Sequence, residues 1–406
     1  MRIMIINHYA GNDRYGMEFR PFYLGRELVK LGHEVTIIAA DCSHLRKENP
    51  EIRVNFEEEF VDGIRYVFVK TVKYKRNGIK RVLNIFSFVN KLKMNSKMLY
   101  KKYRPDAIVA SSTYPFDVKA AKAIARFNKD TRICYEIHDI WPLSLIEIYK
   151  MSTKNPIIRY IQRAENYAYE NTDGVISILP HVNRHIEELG FHDVNYVHIP
   201  NGVVLGNETN KPAPDMIKEK MDDFHSKGKF IVMYLGGFSR ANALEDLIKS
   251  AEFMQPNIQI VMVGDGPLKA SYEKTVSDKK YNNVTILPSV EKDEVNATLS
   301  LADVLYIGAR LTNLYKYGVG MNKLFDYMLS HRPIIYGIES SNNIIDEARC
   351  GTSIRPESAK DIATAAKELS QTPRSVLEDM GENGYNYVVK NHDYAKLAKR
   401  FAIVLQ

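Results

Sequence analysis

Short apolar runs alternate along the chain with longer stretches in which apolar residues return every three to four positions, the periods of strand and helix. Residues 2–7 read as a buried strand, followed by a polar loop carrying Gly11 and Gly16, a helix over about 17–31 closed by Gly32, and a second strand at 34–39. That is a β-α-β opening. The alternation continues with a strand at 106–110, a helix at 116–127, a strand at 132–137, a helix at 157–171, a strand at 174–178, a helix at 181–189 and a strand at 195–199. One parallel sheet can hold all of these strands. Pro200-Asn201-Gly202 then punctuates the chain, and the polar segment 206–214 reads as a linker.

Beyond the linker the pattern restarts. A strand at 230–235 meets the tight turn Gly236-Gly237 and a helix at 243–254, and a strand at 258–263 runs through Gly264-Asp265-Gly266-Pro267 into another helix. A strand at 283–287, a helix at 293–301, a strand at 303–307, a helix within 317–333 and a strand at 333–336 complete a second parallel sheet. At 406 residues the chain exceeds what one core holds. The reading is therefore α/β: two tandem doubly wound domains, 1–200 and 201–387, with a last helix over about 388–406 packing back on the first. Ligands bind outside the carboxyl ends of such strands, which makes the cleft between the domains the expected site.

Residues 317–333, Tyr-Gly-Val-Gly-Met-Asn-Lys-Leu-Phe-Asp-Tyr-Met-Leu-Ser-His-Arg-Pro, form a glycine-containing loop running into a helix. Lys323 and Asp326 lie three apart and so share a helix face. A helix start offers unpaired amides and a positive dipole end to an anion, Lys323 adds a point charge for a phosphate, and Asp326 can accept two hydrogen bonds from a diol. Phosphate plus diol describes a nucleotide. An ordinary amphipathic helix with a solvated Lys/Asp pair has the same periodicity.

Other nucleotide signatures are missing. Gly16 has no partners at Gly-x-Gly-x-x-Gly spacing and Gly264-x-Gly266 lacks the third glycine, which argues against a nicotinamide cofactor. There is no Walker loop, no Gly-x-Ser-x-Gly elbow, and no Asp-x-Asp pair at a strand end to hold a metal-bound diphosphate. Arg240, just behind Gly236-Gly237, can bring cationic charge to a phosphate instead. No cofactor and no metal are expected. His138-Asp139 ends the apolar strand, ahead of the only tryptophan, Trp141. There a His can hold a sugar hydroxyl or stabilise charge, or the pair can simply cap its loop.

Composition adds the setting. With 45% hydrophobic and 26% charged residues, both halves can bury a full core. Cys42, Cys134 and Cys350 are odd in number and far apart, which fits a reduced cytoplasmic compartment. No run approaches the ~20 apolar residues of a membrane span, and residues 3–6 are too short for a signal peptide core. The net charge of +7 is unevenly placed: from Ile64 to Pro105 there is no Asp or Glu, while Lys and Arg recur from Arg65 to Arg104. Val82, Ile85, Phe86, Val89, Leu92 and Leu99 interleave with them at helical spacing. Such a stretch suits an anionic membrane surface, with the protein peripheral at the inner face of the cell membrane. A solvated basic face over core helices fits it equally. Nucleic acid is not expected, since no zinc finger, RNA-binding aromatic motif or helix-turn-helix accompanies the charge.

Gly16 ahead of the first helix, Pro105-Asp106-Ala107-Ile108-Val109 with Ser111-Ser112, Glu136-Ile137-His138-Asp139-Ile140-Trp141-Pro142, Ile199-Pro200-Asn201-Gly202-Val203, Gly264-Asp265-Gly266-Pro267 and Asn322-Lys323-Leu324-Phe325-Asp326-Tyr327-Met328 occur in that order. With them the chain resembles, over essentially its whole length, glycosyltransferase family 4: retaining transferases with two Rossmann-like domains, known as GT-B. It is most similar to the branch that builds bacterial surface polysaccharides. The resemblance implies a nucleotide-sugar donor, in particular a UDP-sugar, and a saccharide or lipid-linked saccharide acceptor. It implies that the amides of Gly320, Met321 and Asn322 face the donor diphosphate, that Asp326 holds the ribose hydroxyls, and that the backbone near Leu287-Pro288 faces the nucleobase. Gly16 and Gly237 would lie in turns beside the donor, and His138 would contact its sugar. Two positions depart from the family. Its acidic pair, two glutamates eight apart, is Gly318 and Asp326 here, and the Arg and Lys of its second domain's first loop are reduced to Arg240, leaving Lys323 to supply the other cation.

Retention requires a carboxylate nucleophile, or departure and attack on one face of the sugar with the diphosphate as base, and the resemblance favours the second. Arg240, Lys323 and the helix amides would then stabilise the leaving diphosphate, and His138, with Asp139 beside it, would hold the sugar. These four are the candidate catalytic residues. A nucleotide-sugar 2-epimerase shares the architecture, and Gly318 keeps open a catalytically silent nucleotide-sugar binder.

Overall fold

The computed structural model describes residues 1–74, 78–206 and 211–406. The chain forms two compact units, Met1–Asn201 with Lys316–Gly320 and Tyr394–Gln406, and Gly202–Tyr315 with Met321–Asp393. In the first, eight strands make one sheet: β1 (Arg2–Ile6), β2 (Glu34–Ala40), β3 (Glu57–Val61), β4 (Ile64–Val69), β5 (Ala107–Ala110), β6 (Arg132–Ile137), β7 (Gly174–Ser177) and β8 (Tyr196–His198), in the order β3-β4-β2-β1-β5-β6-β7-β8. Every pairing is parallel except β3 with β4. Parallel strands are buried on both faces, so they read as near-continuous apolar runs. Ile3 to Ile6 and Ala107 to Ala110 are buried throughout. Helices Ile79–Met94 and Val118–Ala125 close over this core through Phe88, Leu92 and Ile124. Helix Tyr394–Val404 packs on helix Arg20–Lys30, with Tyr23 and Tyr394 in ring contact at 5.4 Å.

The helical spacing in the basic stretch is carried by two helices, Ile79–Met94 and Ser96–Tyr103. Ahead of them its first residues, Ile64–Val69, are strand β4, which the pattern of the stretch did not name, paired with β3 through a turn in which Asp62 and Gly63 both take positive φ, 49° and 78°. Asp-Gly is the residue pair such a hairpin turn demands, so this element had a legible signal. The hairpin and strand β2, with the residue after it, supply acids that the stretch lacks. Glu58 lies 2.5 Å from Lys102 and 3.6 Å from Arg65, Glu34 lies 2.9 Å from Arg65, and Asp41 lies 2.8 Å from Lys73. Part of the positive field counted along the sequence is therefore cancelled in space. Of the apolar residues at helical spacing, Ile85, Val89, Leu92 and Leu99 are buried while Val82 is 49% exposed. Lys75 and Arg76, in the same stretch, lie outside the described residues, as do 207–210 of the expected linker. The rest of that linker leads into a helix, Asp215–Ser226, that the apolar pattern did not announce.

The second unit holds β9 (Phe230–Leu235), β10 (Ile258–Val263), β11 (Val284–Leu287), β12 (Val304–Gly308), β13 (Ile334–Gly337) and β14 (Gly351–Ser353), all parallel, in the order β11-β10-β9-β12-β13-β14. Counted within the unit this is strand order 3-2-1-4-5-6, the dinucleotide-fold order. The order reverses between β9 and β12 here, and between β1 and β5 in the first unit. Crevices for ligands open beside such switch points.

Candidate active site

In the first unit the carboxyl ends of β1, β5 and β6 carry Asn7, Ser111 and Glu136-Ile137-His138. Glu136 is an acid inside an apolar strand, 2% exposed, and so requires a partner. Arg20, the first residue of helix Arg20–Lys30 and 1% exposed, provides it at 2.9 Å. The remaining Arg20 donors reach the carbonyls of Ile199 (2.8 Å) and Pro200 (2.6 Å) and the Asn201 side chain (3.3 Å). Ser111 Oγ donates to Glu136 Oε2 at 2.6 Å, and His138 Nε2 lies 3.2 Å from the same oxygen and 3.0 Å from Ser111 Oγ. Burial alone would raise the Glu136 carboxyl. Arg20, His138 and Ser111 outweigh it and hold the group well below the usual carboxylate range.

His138 and Asp139 do not pair with each other. Asp139 accepts from Trp141 Nε1 at 3.1 Å and from Ser144 Oγ, and burial pushes its carboxyl up against those two bonds. Asp139 thus ties the turn after β6 while Glu136 orients His138. Gly16 sits in a loop closed on itself: at φ 87° its amide donates to the Asn12 carbonyl at 2.8 Å. Gly320 also belongs to this unit, where its carbonyl accepts from Asn201 Nδ2 at 2.8 Å.

In the second unit two glycine turns meet after β9 and β10. A Cβ on Gly264 would stand 2.0 Å from the Gly236 carbonyl oxygen and one on Gly266 2.5 Å from that of Phe238, so only glycine permits the approach. This packing holds the loop that carries Gly237, Arg240 and Asn242. The Gly237 carbonyl accepts from Tyr234 Oη at 2.9 Å and Asn242 Nδ2 at 2.7 Å. The Arg240 side chain is exposed and, among the described residues, has no acidic partner. Arg310 donates to the Arg240 carbonyl at 3.3 Å and is itself held by Glu245 (3.1 Å) and Glu357 (2.7 Å).

Helix Asn322–Leu329 starts here without a side-chain cap, Met321 standing at its N-cap; the Leu324 amide donates to the Met321 carbonyl at 3.1 Å, which leaves the amides of Asn322 and Lys323 to an external acceptor. Tyr327 pins it to β9, accepting from Leu235 N at 2.8 Å and donating to Leu235 O at 3.0 Å. One turn earlier, Lys323 Nζ reaches Asn242 Oδ1 at 2.5 Å and Tyr234 Oη at 3.4 Å, 5.1 Å from the Tyr234 ring centre. Burial without an acid pushes this ammonium down to about 7. Asp326 goes elsewhere: both its oxygens lie 2.7 Å from Lys292 Nζ. Three residues along a helix leave side chains roughly 60° apart in azimuth, so the two charges share a face without sharing a partner. The Leu287 carbonyl is committed to Gly264 N at 3.1 Å.

The structure therefore gathers Gly237, Arg240, Met321, Asn322 and Lys323 around one strand end, with Asp326 on the same helix. Sequence reasoning passed over Arg20, Tyr234, Asn242 and Lys292. An acid in an apolar strand was the available signal for Arg20; the other three carried none. Among the described residues no three His, Cys, Asp or Glu side chains group as a metal site.

Residues 15–206 match the model of Glycosyltransferase Family 4, and residues 216–387 match that of Glycosyl transferases group 1. The chain is a family 4 glycosyltransferase of GT-B fold. No curated protein sequence matches it. Solved structures share its fold at low identity. Sucrose-phosphate synthase from Thermosynechococcus elongatus is 17% identical with TM-score 0.72, over 99% of this chain and 97% of that one. Anabaena HepE in complex with UDP-glucose is 13% identical with TM-score 0.67, over 99% and 98%. WaaG, a glycosyltransferase involved in lipopolysaccharide biosynthesis, is 13% identical with TM-score 0.66, over 100% and 99%.

Proposed function

We propose that this glycosyltransferase moves a sugar from a UDP-sugar to a saccharide or lipid-linked saccharide acceptor, with retention, in the synthesis of a bacterial surface polysaccharide. The observation that carries the donor reading is Lys323: a half-buried ammonium held by Asn242 with no acid beside it, at an uncapped helix start facing the loop of Arg240. A diphosphate would accept from these amides and both cations, and a ribose diol would bind Asp326. As the sugar departs, charge grows on the leaving phosphate where Arg240 and Lys323 stand, which lowers the barrier without a metal or cofactor. His138, oriented by Glu136 and Ser111, would hold the sugar rather than attack it. The complex of HepE with UDP-glucose supports the choice of base, and WaaG supports the surface-polysaccharide setting.

Location follows from the acceptor. No helix among the described residues is long and apolar enough to cross a membrane. Helices Ile79–Met94 and Ser96–Tyr103 nonetheless expose Ile79, Val82, Leu83, Met94 and Met98 among Lys93, Lys97 and Lys101, a face suited to an anionic leaflet. The test is a thermal-shift panel of nucleotide sugars, followed by turnover with a lipid-linked saccharide and assignment of the product anomer by NMR. Stabilisation by UDP-sugars and a retained anomer are expected. Inversion, or conversion of donor to a new nucleotide sugar without acceptor, would overturn the reading.

A further inference from the structure

The chain passes from the first unit to the second between Gly320 and Met321, just ahead of helix Asn322–Leu329. The residues before that crossing are held within the first unit. Tyr317 is 1% exposed; its hydroxyl donates to Glu188 at 2.5 Å, its carbonyl accepts from the His181 amide at 3.0 Å, and Lys316 lies 3.1 Å from the same glutamate. At the other end of the segment a Cβ on Gly320 would stand 3.1 Å from the Ile178 carbonyl oxygen, and the Gly320 carbonyl takes its bond from Asn201 Nδ2 at 2.8 Å.

Asn201 is 4% exposed and its side chain has one way to face. Arg20 can only donate, so the Asn201 atom 3.3 Å from it is Oδ1; the Gly320 carbonyl can only accept, so the atom facing it is Nδ2. Arg20 is fixed in turn by Glu136. The consequence lies in the peptide unit. A trans peptide is planar with its C=O and N–H pointing in opposite directions, so the oxygen of Gly320 and the amide of Met321 turn as one body. Holding the oxygen toward Asn201 aims the Met321 N–H away from it, and a donor on the oxygen polarises that N–H further. Among the described residues the Met321 amide donates to nothing.

We infer that Asn201 is a positioning residue for the transfer reaction, aiming the Met321 amide at the donor diphosphate through the Gly320–Met321 peptide. The inference rests on the donor reading proposed above. It adds that one buried carboxylate serves two groups: Glu136 orients His138 directly and the Met321 amide by way of Arg20 and Asn201.

The experiment is calorimetric titration of the full chain with UDP and with uridine, for the wild type and for Asn201→Leu. That variant removes the donor, adds no charge, and leaves Arg20 its bonds to Glu136 and to the carbonyls of Ile199 and Pro200. UDP should bind the variant about tenfold or more weakly, the worth of one hydrogen bond to a charged acceptor, while uridine, which lacks the phosphates, binds as before. A merely structural role would weaken both. In protein carrying isotope-labelled methionine, the Met321 amide signal, assigned by its absence from Met321→Leu, should move downfield on saturation with UDP in the wild type and move less in Asn201→Leu. Asn201→Ala, which only removes atoms, carries the same expectations and replaces the first variant should leucine not fit. Equal losses for UDP and uridine, undiminished UDP binding by both variants, or a Met321 amide that UDP leaves unmoved in the wild type overturns the positioning role while the donor reading stands. A wild type that binds neither UDP nor uridine overturns the donor reading and this inference with it.

Discussion

In the first unit the Arg20 guanidinium and the Glu136 carboxylate are buried together at 2.9 Å, ringed by Ser111, His138 and Asn201. In the second, Arg240 and Lys323 stand at a strand end with no carboxylate partner among the described residues. A closed buried pair gains nothing from an arriving anion; its use is to fix what leans on it, here His138 and the loop 199–201. An unmatched cation is the reverse. For Lys323, drawn partly out of water, the charge is costly until an anion arrives, so its energy is realised on binding, while the exposed Arg240 stands in water ready to add its charge. The two sets of strand ends thus divide the work into holding geometry and receiving charge.

The sharpest way to break this contrast is to open the closed pair. Arg20→Ala leaves Glu136 buried without compensation and is predicted to cost roughly 3–5 kcal/mol in the first unit, read as a lowered thermal transition. Since the Glu136 carboxyl is held below its unfolded value, its contribution is present above about pH 4.5 and lost as the pH falls. A variant as stable as the wild type at pH 7 would show that the pair is not structural.

Next come the open cations. Lys323→Ala and Arg240→Ala are each predicted to lower turnover about 100-fold or more with the thermal transition preserved. Unchanged turnover in both would sink the phosphate assignment, and a collapse in stability would place them with the first unit's pair.

A smaller effect sharpens the comparison further. With its ammonium lowered to about 7, Lys323 is charged below that pH in both free and bound protein, whereas above it binding of a diphosphate must take up a proton. UDP affinity should therefore weaken up to about tenfold per pH unit above about pH 7. Calorimetry in buffers of different ionisation enthalpy measures the proton uptake, which Lys323→Met should abolish. The smallest expected effect is that of a chelator. With Arg240, Lys323 and helix amides on the phosphate, EDTA should leave turnover essentially unchanged; loss that magnesium or manganese restores would assign that charge to a metal.

Much of this was legible before any coordinates. Strands β9 and β10 coincide with their apolar runs, because a strand buried on both faces writes its burial directly into consecutive residues. Helix limits moved more: the expected 17–31 begins at Arg20, and the expected 243–254 shortens to Leu244–Ser250. Ends are set by caps and packing rather than by periodicity. The hairpin β3-β4 is not among the expected strands although Asp62-Gly63 announces it, whereas the helical spacing further along the basic stretch does correspond to helices, Ile79–Met94 and Ser96–Tyr103.

By itself the sequence determined the two α/β repeats, the glycine turns and the residue types available for anion binding, because each depends on local spacing and backbone freedom. Which charges are matched was decided by the tertiary structure alone. Arg20 finds Glu136 across 116 residues, Lys323 finds Asn242 across 81, and Asp326 turns to Lys292 across 34. An ammonium is a solvated ornament or a binding group according to what lies within a few ångströms of it, and along a chain that distance is not written.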